Sequence, residues 1–567
     1  MNSHFGAPKF LWGNVPAIDI VKVGDNEGET FPGPLNLLFA ASGDLRNVIE
    51  SIANIPAGYT GDINVHINDH EITIVARNVI ILLIFLTVDD SSIAAEHALH
   101  VFYSAFLTKA CYDVLQTKVK PLVQDVWSKI QSRPLNAVLG KTWEFGGCKI
   151  RVVLTKGAWR ALLSLLDLPS NITKKASQTA RDAVVSAPTR VDYVDRHLMK
   201  QTPPQRVSIK KFRQDGILLP FGASRSDFTI PNPTFFQKPG EWPMMDNSDP
   251  RAGWCRKQIQ AGYPRPATND IYGMLHYHIT TTFAQFHAKL RANPVSFVFT
   301  KVEADTLGHH VGDMKFARIE TANIADNFYL GLPMTATVFG RLLQSPTENP
   351  HATLIMSFMN AAKEMLYASG MDDHPLIVER NMKLAAQYLP PAPQPGPVEV
   401  FRILSACDLV WDFEACFNAF LDHFRLDELS TNAGVEIKEQ HTVVEPWPLR
   451  FECTAPTPEK KKEFCELLAS HHTGVERYVE WQVKRDVVAE DQRMRFPLFA
   501  LTALIPAVLA DYMIISRCNC AGIAPAQSCE TCAYWYSYFG SHQVPHQDGC
   551  HSSLAVPFMQ TLCIDYS

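Results

Sequence analysis

A cysteine- and histidine-rich segment near the end of the chain carries residue types that bind metals. A Cys-x-x-Cys pair is followed by a histidine and a further cysteine, at Cys529, Cys532, His546 and Cys550. Zinc takes four thiolate or imidazole ligands in a tetrahedron, and a Cys-x-x-Cys turn supplies two of them. The segment therefore predicts a zinc site with three cysteines and one histidine. The alternative is a set of ordinary thiols in a reduced protein, where free cysteine behaves as a small apolar residue.

Residues 35–52, LNLLFAASGDLRNVIESI, form the second stretch that could do chemistry. An apolar run ends at Ser-Gly-Asp, and apolar residues then recur with the spacing of one helix face. A strand, a tight glycine turn and a helix in this order form the opening unit of a nucleotide-binding α/β domain. Gly43 also has a simpler explanation, because a tight turn between strand and helix favours glycine. Asp44 likewise suits the first turn of a helix, where the helix dipole stabilises a carboxylate without a ligand.

Other catalytic motifs are missing from the sequence. It contains no G-x-S-x-G elbow, no G-x-x-x-x-G-K-[ST] loop and no H-E-x-x-H helix. We therefore name no catalytic residue.

Strand and helix patterns alternate along the chain, as expected for an α/β fold. Residues 35–110 read β-α-β-α-α, with an alternating strand at Ile63–Asn68 and apolar-faced helices at 72–85 and 94–107. The pattern resumes later with strands predicted at Val295–Thr300, 316–322 and 352–358 and a helix at 334–343. Between the two parts, helical patterns alternate with a Pro-rich stretch, residues 202–240, which we predict to be irregular and anchored to a core by its phenylalanines.

These patterns predict a Rossmann-like, doubly wound α/β sheet with a large insertion and a separate C-terminal region. We assign residues 1–110 to the first half of the α/β domain and 291–389 to its second half. Residues 111–290 form a helical and Pro-rich insertion between the halves. Residues 390–397, PPAPQPGP, read as a linker. Residues 398–567 form an α+β region that ends in the Cys/His-rich tail.

Composition excludes several classes of protein. With 46% hydrophobic and 19% charged residues, the chain is globular and not disordered. A formal net charge of -6 argues against nucleic-acid binding, which normally needs a basic face. The first residues lack the layout of a secretory signal, so we expect a cytoplasmic protein. Two apolar runs, 79–88 and 496–515, read as buried elements, because the first is too short for a membrane span and the second contains prolines and an aspartate.

Two blocks of the sequence resemble a fungal family of uncharacterised proteins. The first block contains WGNVPA at 12–17, LLFAASGDLRNVIESIA at 37–53 and INDHEITIVARNVIILL at 67–83. The second contains RIETANIADNFYLG at 318–331 and NPHATLIMSFMNA at 349–361. The N-terminal domain of that family is shared with dynein axonemal assembly factor 3, and many members carry a MYND-type zinc finger ahead of it. This sequence starts directly at the domain, so we expect no finger before it.

That family is similar to class I S-adenosylmethionine-dependent methyltransferases, so the resemblance implies a methyltransferase-type sheet. In such a fold the first strand, loop and helix hold the methionine end of the cofactor, and an acid that ends the second strand holds the ribose hydroxyls. The cofactor loop implied by position is Ala41, Ser42, Gly43 and Asp44. The implied ribose acid is Asp69, and the residues implied near a substrate, after a later strand, are Asn323 and Asp326.

Each implied site residue also has a structural explanation. An Asn-Asp pair such as the one ending at Asp69 is common in turns. Asn323 and Asp326 suit the caps of helices. The loop offers one glycine, Gly43, where the methyltransferase pattern usually has two or three, so a purely structural turn stays open.

Two functions from different classes follow. The first is an interaction or assembly protein that keeps the methyltransferase fold without its chemistry and has protein partners, without nucleic acid or membrane. The second is an S-adenosylmethionine-dependent methyltransferase of unknown acceptor. The single glycine in the loop and the missing catalytic motifs favour the first. S-adenosylmethionine and zinc are the two ligands that the sequence predicts.

Overall fold

A large β-sheet lies at the centre of the part of the chain that the structure describes. The computed structural model describes residues 7, 9–391, 396–470, 472 and 474–484, which belong to one compact unit spanning residues 1–485. The strands are β1 (Leu35–Phe39), β2 (Ile63–Asn68), β3 (Phe106–Thr108), β4 (Val138–Phe145), β5 (Cys148–Thr155), β6 (Phe228–Pro231), β7 (Val295–Thr300), β8 (Arg318–Glu320), β9 (Thr353–Phe358), β10 (Val435–Ile437) and β11 (Arg477–Val483).

Nine of the described strands form one sheet in the order β10-β11-β9-β8-β1-β2-β7-β5-β4. The run from β9 to β5 is parallel, whereas β11 is antiparallel to both its neighbours and β4 is antiparallel to β5. β3 and β6 pair separately as a short antiparallel ribbon. The mostly parallel sheet confirms the α/β fold that the alternating patterns predicted.

Two apolar cores lie on opposite faces of the sheet. Successive side chains of a strand point to opposite faces, and in β1 Leu37 and Phe39 join one core while Leu38 joins the other. The first core includes α1 (Arg46–Ala53), α2 (Ile72–Thr87) and α3 (Ser91–Tyr103). A strand buried on both faces is typical of a parallel sheet covered by helices.

The remaining helices surround this sheet. They are α4 (Lys109–Val114), α5 (Lys120–Ile130), α6 (Lys156–Ser164), α7 (Lys174–Val185), α8 (Val191–Met199), α9 (Pro203–Asp215), α10 (Arg256–Ala261), α11 (Ile271–Ala292), α12 (Leu307–Val311), α13 (Leu332–Gly340), α14 (Ala361–Ala368), α15 (Pro375–Tyr388), α16 (Pro397–Ala406), α17 (Phe413–Asp422), α18 (Leu426–Ala433) and α19 (Pro458–Leu468). A π-helical segment, Leu115–Val119, joins α4 to α5.

The apolar run at 79–88 lies in α2 as far as Thr87, and α2 is buried from Ile74 to Leu86. This confirms the predicted buried helix. Within the described ranges, no helix is long and apolar enough to cross a membrane. The second apolar run, 496–515, lies outside those ranges.

The order β-α-β-α-α predicted for residues 35–110 is found as far as Tyr103, where α3 ends. The helix predicted at 94–107 is therefore too long, because β3 occupies Phe106–Thr108. β2 and β7 have the predicted bounds. β8 is shorter than predicted and ends at Glu320. Ala322 has a φ of 48°, a left-handed conformation that cannot continue an extended strand. Strand β8 therefore stops where the backbone turns away from the sheet.

The insertion contains regular structure that the sequence reading missed. β4 and β5 form a hairpin around Gly146 and Gly147, and β5 extends the central sheet by pairing with β7. Helix α9 lies within the stretch 202–240, which was predicted to be irregular. Its first two residues are prolines. Proline is favoured in the first turn of a helix, because the N–H groups there have no partner within the helix and the missing N–H of proline costs no hydrogen bond.

The predicted aromatic anchors of that stretch are mostly buried. Phe212, Phe228, Phe235 and Phe236 are at most 7% exposed, whereas Phe221 is exposed. Four of the five phenylalanines therefore fix the stretch to the core, as the sequence predicted.

Residues 398–484, which we expected in a separate region, contribute β10 and β11 to the same sheet. β11 pairs with β9 over five residues, from Arg477 with Phe358 to Trp481 with Leu354. A buried pair, Lys438 and Glu480, joins the loop after β10 to β11 at 3.3 Å. This part of the C-terminal region completes the sheet edge.

Candidate functional site

The loop after β1 is shaped by one glycine. Gly43 has a φ of 52°, a left-handed conformation that glycine adopts without steric cost. Its N–H donates to Oδ2 of Asp69 at 3.0 Å, and its carbonyl accepts from Nδ2 of Asn78 at 2.7 Å. The N–H of Ser42 donates to the carbonyl of Asn68 at 2.8 Å. The loop is therefore tied to the end of β2 and to α2.

Asp69, the implied ribose acid, is already bound by the chain itself. It is 8% exposed, and its other oxygen, Oδ1, accepts from the N–H of Glu71 at 2.9 Å. Burial raises the pKa of the Asp69 carboxyl, against the effect of the two backbone donors. The structure brings Gly43 and Asp69 into direct contact, and each oxygen of the carboxylate accepts a backbone hydrogen bond.

Asp44 and Arg46 form a buried ion pair at the start of α1. Nε of Arg46 donates to both carboxylate oxygens of Asp44, at 2.9 and 2.7 Å. Burial is the largest single influence and opposes the charge on Arg46, but the Asp44 carboxylate, with smaller contributions from Tyr103 and Tyr478, raises the pKa of the guanidinium. Oδ2 of Asp44 also accepts from the N–H of Gly13 at 2.7 Å. Nη1 of Arg46 donates to the carbonyl of Val15 at 2.6 Å and to that of Gly253.

The N-terminal segment crosses this ion pair at a place where only glycine fits. A Cβ atom at Gly13 would lie 1.7 Å from Nη2 of Arg46, and one at Gly253 would lie 2.5 Å from Nη1. The preceding residues, Leu11 and Trp12, are 1% and 5% exposed. The segment therefore belongs to the core and lies over the loop after β1.

Asn68 connects the carboxyl ends of three strands. Its Nδ2 donates to the carbonyls of Ala40 at 2.9 Å and Val302 at 3.0 Å. Its Oδ1 accepts from Oγ1 of Thr300 at 2.9 Å and from the N–H of Val302 at 3.1 Å. These bonds hold β1, β2 and β7 together at the edge where ligands approach a doubly wound sheet.

Asn323 and Asp326 lie together in the loop after β8. Asp326 is fully buried, and its Oδ2 accepts from Nδ2 of Asn323 at 3.2 Å. The same carboxylate accepts from the backbone N–H groups of Met359, Asn360 and Ala361 at 3.0 to 3.3 Å. Burial raises the pKa of Asp326, and these donors oppose that rise. The carboxylate therefore caps α14 and joins the ends of β8 and β9.

Glu320 is a buried acid that the sequence reading missed. It ends β8, is 4% exposed, and its Oε1 accepts from the N–H of Ala322 at 2.7 Å. Its Oε2 has no hydrogen-bond partner in the described part of the chain. Burial raises the pKa of Glu320 to about 7, although the nearby Arg46 and Asn47 favour its charge. The glutamate within the strand predicted at 316–322 was the signal that could have found it.

A cleft of about 310 Å³ opens beside these loops. Met359 and Asn360, which follow β9 directly, line it, so the cleft lies at the carboxyl end of that strand. The other lining residues are Phe10, Trp12, Gly13, Asn14, Tyr193, Asn247, Ser248, Asp249, Ala252, Lys363, Val475 and Glu476. The cleft is therefore built from the N-terminal segment, the insertion and the final strands of the sheet.

No metal-binding group of three or more His, Cys, Asp or Glu side chains forms among the described residues. The predicted zinc ligands Cys529, Cys532, His546 and Cys550 lie outside those residues. Zinc binding by the tail stays a prediction from the sequence.

Comparison with known proteins gives one match. Residues 11–107 match the family described as "Domain of unknown function (DUF4470)". No curated protein and no solved structure matches the chain. The matched stretch begins at the N-terminal segment that crosses Arg46 and includes the loop after β1 and Asp69.

Proposed function

We propose that this chain is a methyltransferase-like protein that acts mainly through protein interactions or assembly, without transferring methyl groups. The observation that carries the proposal is the network of Gly13, Asp44 and Arg46 at the end of β1. In this network, the groups that a bound cofactor would need hold the chain's own N-terminal segment instead.

The strand order supports a methyltransferase-type sheet. In chain order, β1, β2, β7, β8 and β9 take the positions of the five parallel strands of a doubly wound sheet, in the order 3-2-1-4-5. β10 and β11 follow as a sixth and a seventh strand, and the antiparallel β11 lies between β9 and β10. A last antiparallel strand beside the fifth is typical of class I methyltransferases. The hairpin of β4 and β5 is an addition at the opposite edge.

The position of the ion pair supports the loss of cofactor chemistry. In a doubly wound sheet the ligand binds where strand order reverses, which here is between β1 and β8. Arg46 lies beside Glu320 at the end of β8 and reaches the backbone of Val15. A ligand at this crevice would have to displace a buried ion pair, and breaking such a pair costs about 3–5 kcal/mol.

The state of Asp69 supports the same conclusion. A ribose diol donates two hydrogen bonds to a carboxylate. The Asp69 carboxylate is 8% exposed, and each of its oxygens already accepts one backbone N–H, which leaves only its remaining lone pairs for a ligand. The assembly role itself rests on the resemblance to the dynein assembly factor stated above.

Calorimetric titration of the full chain with S-adenosylmethionine tests the proposal. We expect no binding heat at ligand concentrations up to about 1 mM, which would detect even weak complexes. Asp69→Asn keeps the size of the side chain and removes its charge, and Asp62→Asn is the matched control at an exposed position.

Micromolar binding that Asp69→Asn abolishes and Asp62→Asn preserves would overturn the proposal. That result would favour the alternative function, an S-adenosylmethionine-dependent methyltransferase of unknown acceptor. Circular dichroism of both variants checks that the loop mutation leaves the fold intact.

A further inference from the structure

Acidic and basic side chains line the cleft beside β9. Most of them pair with other side chains of the protein. Three lining residues have acidic or basic side chains: Asp249, Lys363 and Glu476. The carboxylate of Asp249 accepts from Nε and Nη2 of Arg251 at 2.8 to 3.1 Å. It also accepts from the hydroxyl of Tyr272 at 2.7 Å. The charge of Asp249 is therefore offset within the protein.

Lys363 is paired as well. Its Nζ lies 3.2 Å from Oδ2 of Asp408. Burial is the largest single influence and opposes the charge of Lys363, but Asp408, Tyr367 and, to a smaller extent, Glu476 together raise its pKa. Lys363 is therefore close enough to Glu476 to feel its charge, but its ion-pair partner is Asp408.

Glu476 is the lining acid that takes no part in these ion pairs. It is 5% exposed, and its Oε2 has no hydrogen-bond partner among the described residues. The neighbouring Arg477 does not supply one, because its guanidinium lies over the rings of Trp447 at 4.4 Å and Phe417 at 4.9 Å. A buried carboxylate oxygen without a donor is unfavourable, and a ligand that donates to it would remove the penalty.

A second lining residue has an unused donor. The indole N–H of Trp12 is buried and has no acceptor within the described ranges. Two residues that line the cleft thus each have a buried polar atom without a partner among the described residues, a carboxylate oxygen in Glu476 and the indole N–H in Trp12. Its volume of about 310 Å³ is at the lower end of the range for small-molecule sites.

We propose that the cleft binds a small organic cation. Its ammonium or guanidinium group donates to the carboxylate of Glu476, and a separate acceptor on the ligand receives the indole N–H of Trp12. Apolar contacts come from Met359 and Val475, which line the same cleft. A charge-assisted hydrogen bond to a buried carboxylate is stronger than a neutral one, so charge on the ligand determines affinity.

Free L-arginine is the probe, because it has a guanidinium at one end and a carboxylate acceptor at the other. L-citrulline has nearly the same shape and the same α-ammonium and carboxylate groups, but its side chain carries no positive charge. Isothermal titration of the full chain should show binding of L-arginine, and affinity for L-citrulline should be at least about tenfold weaker.

Glu476→Gln keeps the size of the side chain and removes its charge. We expect this variant to bind L-arginine at least about tenfold more weakly than the unmodified chain. Glu445→Gln changes an exposed glutamate and should leave the affinity unchanged. Equal affinity of the Glu476→Gln variant and the unmodified chain would overturn the proposal, as would absence of binding at about 10 mM of both L-arginine and agmatine.

Trp12→Phe gives an independent test that does not alter the carboxylate. It removes the indole N–H and keeps an aromatic ring, so L-arginine affinity should fall while its preference over L-citrulline stays. Agmatine, which lacks the carboxylate acceptor, should be less sensitive to this change. The cation site does not depend on the proposed function, because titration with S-adenosylmethionine tests a different crevice.

Discussion

The backbone N–H of Gly43 donates to the carboxylate of Asp69 across the gap between the ends of β1 and β2. In a cofactor-binding sheet these two positions would face a ligand from either side. Here the two residues bind each other, and Asn78 of α2 donates to the carbonyl of the same glycine. The contact closes the loop through groups of the chain itself.

Asp69→Asn should destabilise the protein through this contact. An amide side chain cannot accept from both Gly43 and Glu71 with the strength of a carboxylate, so a buried donor is weakened or lost. We expect a loss of about 1–3 kcal/mol. Thermal unfolding measures it, and the exposed Asp62→Asn should change stability by less than about 0.5 kcal/mol. Equal melting temperatures for the two variants would contradict the role assigned to Asp69.

Gly13→Ala should be strongly destabilising. The added Cβ would lie 1.7 Å from Nη2 of Arg46, so the guanidinium must leave its place against Asp44. Separating a buried pair of this kind costs about 3–5 kcal/mol.

Gly24→Ala is the control for this substitution, because a Cβ there meets no atom within 4 Å. Denaturant unfolding of both variants compares the two sites. If Gly13→Ala unfolds at the same denaturant concentration as Gly24→Ala, the N-terminal segment does not depend on the ion pair.

Asp326→Ala should loosen the start of α14. The carboxylate accepts from three consecutive backbone N–H groups, beginning at Met359, and alanine provides no acceptor. Loss of a cap costs about 0.5–2 kcal/mol. Hydrogen exchange should show faster amide exchange confined to the first turn of α14. Asp373→Ala, at an exposed position, should leave exchange there unchanged.

Glu320 should make stability fall as pH rises. Its pKa is about 7 in the folded protein and about 4.5 in an unfolded chain. Between these values the folded state keeps a proton that the unfolded state has released, so the free energy of unfolding decreases as pH rises. This loss of stability is absent below the pKa of the unfolded chain and complete above pH 7, with an upper limit of about 3 kcal/mol.

Glu320→Gln removes this titration. The variant should gain stability over the unmodified chain at pH 8 and match it at pH 5, as measured by thermal unfolding at both values. Glu303→Gln, at an exposed position, serves as the control. An equal change in melting temperature across that range for the Glu320→Gln variant and the unmodified chain would exclude Glu320 as the titrating group.

The sequence predicted the inner strands well, because buried parallel strands are short apolar runs bounded by turn residues. Ile63–Asn68 and Val295–Thr300 were predicted to the residue. The hairpin of β4 and β5 was missed, because its strands carry charged side chains on one face at the edge of the sheet. The pair Gly146-Gly147 between two alternating runs was the available signal, since such dipeptides favour hairpin turns.

The candidate site was predictable only in part. Local pattern located the loop at Gly43 and the acid at Asp69, because both follow strands that the sequence reveals. It could not show that Arg46 reaches the carbonyl of Gly253, a residue 207 positions away. The hydrogen-bond partners of each acid depend on where distant segments of the chain lie. Tertiary packing determines those positions, and local sequence pattern does not reveal it.

The sheet has a consequence for how this protein is synthesised and folds. The side chains of Asn68 and Thr300 bond across 232 residues of sequence, because the insertion separates β2 from its neighbour β7. Closing so long a loop has a large entropic cost, and contacts of this range slow folding. During translation, β2 leaves the ribosome long before β7 exists, so its edge stays open to wrong partners for many seconds. The position of the insertion therefore determines how long β2 waits for its partner strand.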